Sequence, residues 1–326
     1  MNRRSLLAGL ALAAGAAREA AAQGPERRRQ VGVLSPFSPV AARPWHAAFE
    51  AGLGKLGWTI GSRLDLTYRY AEGNPARLAP LARELLQRPV ELLVTEVTEA
   101  TQAAKAATDT VPIVMIGVGD PVGAGLVASL ARPGGNVTGL SQNVVESSAK
   151  RLELLAEVVP GLRAVGVLWN PGDSNSVLTW RELEAAARRL AIELRSLEVR
   201  DGAALEQRLA TAPPTEIQAL YVTPWPLFVA HLPAVAGFAR SHRLASVFHL
   251  GDFAEAGGLL SYGPDRIDLF GRAASYVDRI LRGASPADLP VEQPTQYDLV
   301  VNQAAARAIG LVVPPVVLER ASRIVD

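Results

Sequence analysis

The sequence contains no cysteine. That excludes a disulfide framework, a thiol nucleophile, a thiolate metal site and a cysteine on which a lipid anchor could ride after export. Histidine is scarce as well. His46, His231, His242 and His249 are scattered and form no HExxH pair, so no metal site is expected. An excess of one charge is also missing, with 33 Lys and Arg against 32 Asp and Glu. Such a chain has no strong pull toward nucleic acid or an anionic membrane surface. No P-loop is present, and Ser141 and Ser261 lack the flanking glycines of a nucleophile elbow. No catalytic residues are assigned, no enzyme is expected, and no cofactor. The run Gly117-x-Gly119-x-x-Val122 follows a strand pattern, but the third glycine of a dinucleotide fingerprint is absent, as is an acidic residue after a second strand.

What is present begins with an address. Arg3-Arg4 precedes the apolar run Ser5–Ala17 and the small residues Ala20-Ala21-Ala22. This is the layout of a secretory signal peptide over residues 1–22, served by the Sec or twin-arginine route, with cleavage after Ala22. The run is shorter than the ~20 residues that a transmembrane helix needs. The expected location is the periplasm, without a lipid anchor.

With 326 residues, the chain is long enough for two domains, and it repeats itself. Val31-Gly32-Val33-Leu34, a Pro/Ser loop and a helical pattern with Trp45 return as Val165-Gly166-Val167-Leu168, a Pro/Ser/Asn loop and a helical pattern with Trp180. Strand patterns alternate with helical ones throughout, which implies βαβ units and parallel sheets. The expected helices include one opened by Pro44, one over Leu126–Leu130 and one over Phe228–Ser241. The domain plan is lobe one over residues 30–139, lobe two over 140–262, and a segment 263–326 that crosses the hinge and returns to the lobes. The fold class is α/β, with two Rossmann-like lobes of parallel sheet joined by a three-segment hinge.

Ligands in open α/β sheets gather at the carboxyl ends of strands and in clefts between lobes. Those strand ends carry Ser35 and Phe37, then Thr98 and Ala100, then Gly119 and Asp120, with Asn143 after the crossing strand. In the second half they carry Asn175 and Ser176, Thr223 and Trp225, and Asp252. Asp120 reads equally as a partner for an ammonium group or as a turn cap. Asn175 and Ser176 open a helix whose free N–H groups suit a carboxylate. Trp225 is either a stacking platform or a loop-covering aromatic.

The strings GVGDPVGAGLVASLARPGGNVTG, VGVLWNPGDSNS, LGWTIGSRLDLTYRYAEGNPARL and YVDRILRGASPADLPVEQPTQYDLVVNQAAARAIGL resemble the substrate-binding components of bacterial ABC uptake transporters. The likeness is to tryptophan- and aromatic-amino-acid-type binding proteins of the type I periplasmic-binding-protein fold, and it covers the mature chain. It implies a monomeric two-lobe clamp with hinge crossings near Gly139–Asn143, Tyr262–Asp265 and Pro290–Tyr297. The clamp would close on a small-molecule solute and dock on an ABC permease in the inner membrane. By the resemblance, Thr98 and Asp120 meet an α-amino end, and Asn175 and Ser176 meet a carboxylate. The chain departs from that pattern at Glu99, where a proline is common, at Ala100, where a small hydroxyl residue is common, and in the 223–226 and 249–252 loops. Glu99 and Asp252 then face either a more basic ligand or water. A sensing module that presents its ligand to a membrane receptor is the alternative function.

Overall fold

The computed structural model describes residues 28–326. The expected signal peptide lies outside the described residues. Lobe one is built on a five-stranded sheet of β1 (Arg29–Ser35), β2 (Leu64–Tyr70), β3 (Leu92–Glu96), β4 (Ile113–Val118) and β5 (Val137–Ser141). Its order is β2-β1-β3-β4-β5, and every pairing is parallel. Lobe two is built on β6 (Ala164–Trp169), β7 (Glu193–Glu198), β8 (Ala219–Val222), β9 (Ala245–Phe248), β10 (Leu260–Pro264), β11 (Tyr297–Asn302) and β12 (Arg323–Val325). Its order is β12-β11-β10-β9-β8-β6-β7. One pairing breaks the parallel rule: β11 runs antiparallel to β10. A strand that returns from the other lobe does not have to arrive by a βαβ crossover.

Both sheets are covered on both faces, as parallel sheets must be. In lobe one, α1 (Pro39–Lys55) lies on one face, and α2 (Leu78–Leu86) and α3 (Val97–Ala107) on the other. In lobe two, α4 (Ser148–Val158) and α5 (Ser174–Leu190) cover one face. The other face carries α6 (Gly202–Ala210), α7 (Pro226–Ala230) and α8 (Leu232–Ser241). The repeated VGVL strands play the same part in each lobe. A Cβ on Gly32 would meet the Leu93 side chain at 2.8 Å, and one on Gly166 would meet Ile217 at 2.7 Å and Leu197 at 2.9 Å. In both, glycine lets large aliphatic side chains press onto the first strand.

After β10 the chain makes α9's neighbour α10 (Arg266–Leu281), α9 (Gly251–Glu255) having preceded that strand. The 263–326 tail is shared between the lobes. α10 packs on α1, burying Leu269, Phe270, Ala273 and Val277 in lobe one. Glu292 then bridges Leu140 at the edge of β5. β11, α11 (Gln303–Ile309), α12 (Pro315–Glu319) and β12 complete lobe two. The chain thus passes between lobes after Ser141, after Pro264 and between Glu292 and Tyr297.

Three expected helices differ. α1 starts at Pro39, because Ser38 caps it by accepting from the Ala41 N–H at 3.3 Å, and Pro44 lies inside it. The bond that Pro44 removes is offset by the buried stripe Trp45, Phe49 and Leu53. Residues 126–130 make no helix. Leu126 and Val127 both donate back to the Pro121 carbonyl, and Ala128 donates to Pro133, so these backbone groups are used in turns. The Phe228–Ser241 pattern splits at His231, because Pro233 has no N–H to continue the ladder.

Candidate ligand site between the lobes

The lobes touch at the carboxyl ends of their strands. Thr98, in the first turn of α3, meets Asn175, in the first turn of α5. The Thr98 hydroxyl donates to Asn175 Oδ1 at 3.1 Å and accepts from Asn175 Nδ2 at 2.9 Å. The Gly119 N–H also donates to the Thr98 hydroxyl at 3.2 Å. Gly119 is required here, because a Cβ would stand 2.3 Å from Asn175 Oδ1. Three of the residues expected at the site therefore form one clasp that spans both lobes.

Beside the clasp lies a vestibule of about 640 Å³. Glu72–Pro75 and Glu99 line it from lobe one, and Asn170, Asp173, Arg200 and Trp225 from lobe two. It narrows to an inner chamber of about 10 Å³, room for roughly one water molecule. The chamber is walled by Phe37, Val97, Glu99, Gln142 and Arg266 on one side and by Asn175, Trp225 and His249 on the other. Glu99 and Trp225 line both spaces. Val97 has a φ of 55°, a conformation that a β-branched residue adopts only under constraint. The strain sits where β3 turns into α3 and delivers Thr98 and Glu99 to the cleft.

The vestibule and the chamber are unusual in what their polar atoms lack. Both Glu99 carboxylate oxygens, Gln142 Oε1, Asp173 Oδ1, His249 Nδ1 and Arg266 Nη1 are buried with no hydrogen-bond partner. Buried polar atoms are paired in the great majority of cases. Six unpaired atoms around one cleft, contributed from both lobes, mark a place built for another molecule. Glu99 as a residue is partly exposed, but its oxygens are not. Burial pushes its carboxyl well above the ordinary value, helped by the charge of Asp173. Burial also raises Asp173, against the pull of the Ser176 N–H it caps at 2.7 Å. The Arg266 guanidinium lies 4.2 Å over Trp45 and 4.9 Å over Phe37, and burial pushes it down to about 10, so it stays charged at neutral pH. Burial, with the charges of Arg266 and Arg151, holds His249 well below its usual range and keeps it neutral.

The remaining expected residues divide. Ser35 is buried and donates to Glu96 at 2.8 Å, with His46 Nε2 on the other Glu96 oxygen at 2.5 Å. The serine thus binds the acid and not the histidine, which is not a nucleophile arrangement. Ser176 and Thr223 bond each other at 2.9 Å within lobe two. Four expected residues do not line the vestibule or the chamber. Ala100 is fully buried in the core of lobe one, against α2 and β4, and not in the cleft. Asp120 Oδ1 accepts from the Val122 and Gly123 N–H groups at 3.1 and 2.8 Å, so it caps its own turn. Asn143 belongs to the first crossing, where its side-chain amide lies between the Glu146 carboxylate and the Tyr297 hydroxyl. Asp252 is exposed in a separate groove with Glu255, Asp298 and Arg323. Gln142, Asp173, His249 and Arg266 were not expected as ligand contacts. Asp173 reads as a helix cap and Arg266 carries no local signal, and only the fold turns them inward.

Residues 30–325 match the family of ABC transporter substrate binding proteins. The chain belongs to that family. This substrate-binding protein is 26% identical over 263 residues to a tyrosine-binding protein of Clostridioides difficile (strain R20291), covering 81% of this chain and 75% of the relative. It resembles a protein from Streptococcus pneumonia solved in complex with L-Trp at 25% identity and TM-score 0.85, over 91% of this chain and 100% of that one. It resembles the ligand-free, open form of a Clostridium difficile substrate binding protein with adhesive properties at 26% identity and TM-score 0.66, over 91% and 99%. The identities are nearly equal, so divergence does not account for the gap in superposition. In this substrate-binding protein the Thr98–Asn175 clasp joins the two lobes. Its family are solute binders and not enzymes, in keeping with the Ser35–Glu96–His46 geometry.

Proposed function

We propose that this protein is the exported, periplasmic solute-binding component of an ABC importer. It takes a small polar solute, an amino acid or a related compound, into the cleft between its lobes. Closure rests on the three crossings, and the closed monomer hands its solute to an inner-membrane permease. The observation that carries this reading is the ring of unpaired buried polar atoms, drawn from both lobes, beside the Thr98–Asn175 clasp. A solute that satisfies atoms on both sides stabilises the closed form by its differential affinity. The relatives' ligands support a solute of amino-acid size, and the Trp225 and Phe37 walls supply apolar area for it.

The test is a thermal-shift panel of amino acids, amines and carboxylates on the mature protein, repeated with Trp225→Ala. A solute at about 100 times its Kd adds about 2.7 kcal/mol, and the shift should shrink in the variant. A solute that stabilises both proteins equally binds elsewhere and removes the cleft from consideration.

A further inference from the structure

Glu99 and Asp173 meet across the lobe boundary with no cation between them. Glu99 comes from the first turn of α3 in lobe one, and Asp173 caps α5 in lobe two. They lie within hydrogen-bonding reach of each other. Three carboxylate oxygens, Glu99 Oε1 and Oε2 and Asp173 Oδ1, are buried without a donor. Glu72, Arg200 and Asp201 line the same vestibule, and Arg200 is paired with Glu198 at 3.4 Å. Arg266 faces Glu99 from α10 but makes no ion pair with it, and its Nη1 is itself unpartnered. Glu96 is satisfied by Ser35 and His46. His249 is neutral behind Arg266, and Asp252 lies on the far side of Arg266. The cleft therefore holds two acids lacking a cation at one end and a guanidinium lacking an acceptor at the other. The aromatic rings of Trp225 and Phe37 wall the chamber that Glu99 and Arg266 share.

We propose that the solute is a primary ammonium compound whose nitrogen seats between Glu99 of one lobe and Asp173 of the other. This rests on the cleft being the solute site. An ammonium group has three N–H donors, which matches the three open oxygens, and its charge offsets two buried carboxylates that cost heavily alone. The far end of the solute offers an acceptor to Arg266. The same charge latches the lobes, because it attracts an acid from each. Without it, closure needs a proton shared between Glu99 and Asp173.

The experiment follows thermal unfolding of the wild type and Glu99→Gln from pH 5 to 8 in methylammonium chloride. Equal concentrations of sodium chloride and of tetramethylammonium chloride, which has no N–H donor, are the controls. The raised carboxyl of Glu99 contributes stability that is fully present below its unfolded value of about 4.3 and is lost as pH rises through its folded value. Without additive, Glu99→Gln should therefore melt higher than the wild type at pH 8, and the two should converge toward pH 5. Methylammonium should raise the wild-type midpoint at pH 8 beyond both controls, less so at pH 5, and leave Glu99→Gln unmoved. Equal shifts from all three salts, or equal responses of the two proteins, overturn the proposal. A panel solute that still binds in a Trp225-dependent way would then preserve the cleft and remove only the ammonium seat.

Discussion

Two arginines are buried among the described residues, and they are treated oppositely. Arg151 is fully buried, and its guanidinium has a partner in every direction. Nε donates to the Tyr221 hydroxyl at 2.8 Å, and Nη1 donates to Ser147 Oγ at 2.9 Å and the Tyr262 carbonyl at 3.2 Å. Nη2 donates to Ser148 Oγ at 3.2 Å and to the Val144 carbonyl. These partners belong to the first crossing, to β8 and to the strand that leads into the second crossing. Arg151 thus pins two crossings together. Arg266 begins α10 just past the second crossing, stacks on aromatic rings and leaves Nη1 unmatched. A charge whose donors are all met stabilises the fold, whereas one left short stabilises nothing until an acceptor arrives.

One substitution separates the two roles. Arg151→Met should strand several buried oxygens at the hinge and cost about 3–5 kcal/mol, at one to three for each group left unsatisfied. Denaturant unfolding would measure the loss. A change under about 1 kcal/mol would mean that water replaces the arginine and that the hinge does not depend on it. Arg266→Met should do the opposite. Removing an unpaired buried charge and filling its volume is neutral or stabilising by about 1–4 kcal/mol. Solute affinity should nevertheless fall about 10- to 100-fold, the worth of a charged hydrogen bond at 1.5–3 kcal/mol. Calorimetric titration of a panel solute reads the affinity. Arg266→Met that destabilises the protein and binds normally would make the two arginines alike and end the comparison.

The contrast also shows where the sequence is readable. The duplicated VGVL strands and the strand–helix alternation are local signals, and the structure uses each as its chemistry implies. The lobe that owns the tail was not legible, because the seat of α10 on α1 is made by contacts more than 200 residues apart, such as Trp58 Nε1 donating to Asp278 at 2.8 Å. The site was half legible. Thr98, Gly119, Asn175 and Trp225 stand at strand ends, where topology alone brings the lobes together. Asp120 offers a carboxylate in a glycine loop, but the nearby N–H groups claim it first, a local competition that residue type does not reveal. Arg266 has no local signature at all. Its burial follows from Trp45 and Phe37, which belong to the other end of the chain.

The clasp offers the finest division between fold and closure. Gly119→Ala places a methyl group where Asn175 Oδ1 now stands, 2.3 Å away. The obstacle belongs to the opposite lobe, so each lobe keeps its own packing and only their approach is hindered. The expected cost is about 1 kcal/mol, the low end for overpacking, because the Asn175 amide and the hinge can both yield. That cost falls on the closed form alone. Solute affinity should drop about fivefold, while unfolding of the solute-free protein in denaturant changes little. X-ray scattering of the solute-free protein should report a larger radius of gyration as the lobes part. If affinity and radius both match the wild type, the lobes do not depend on this contact to close, and the division between a rigid hinge at Arg151 and a yielding clasp at Asn175 fails at its weaker end.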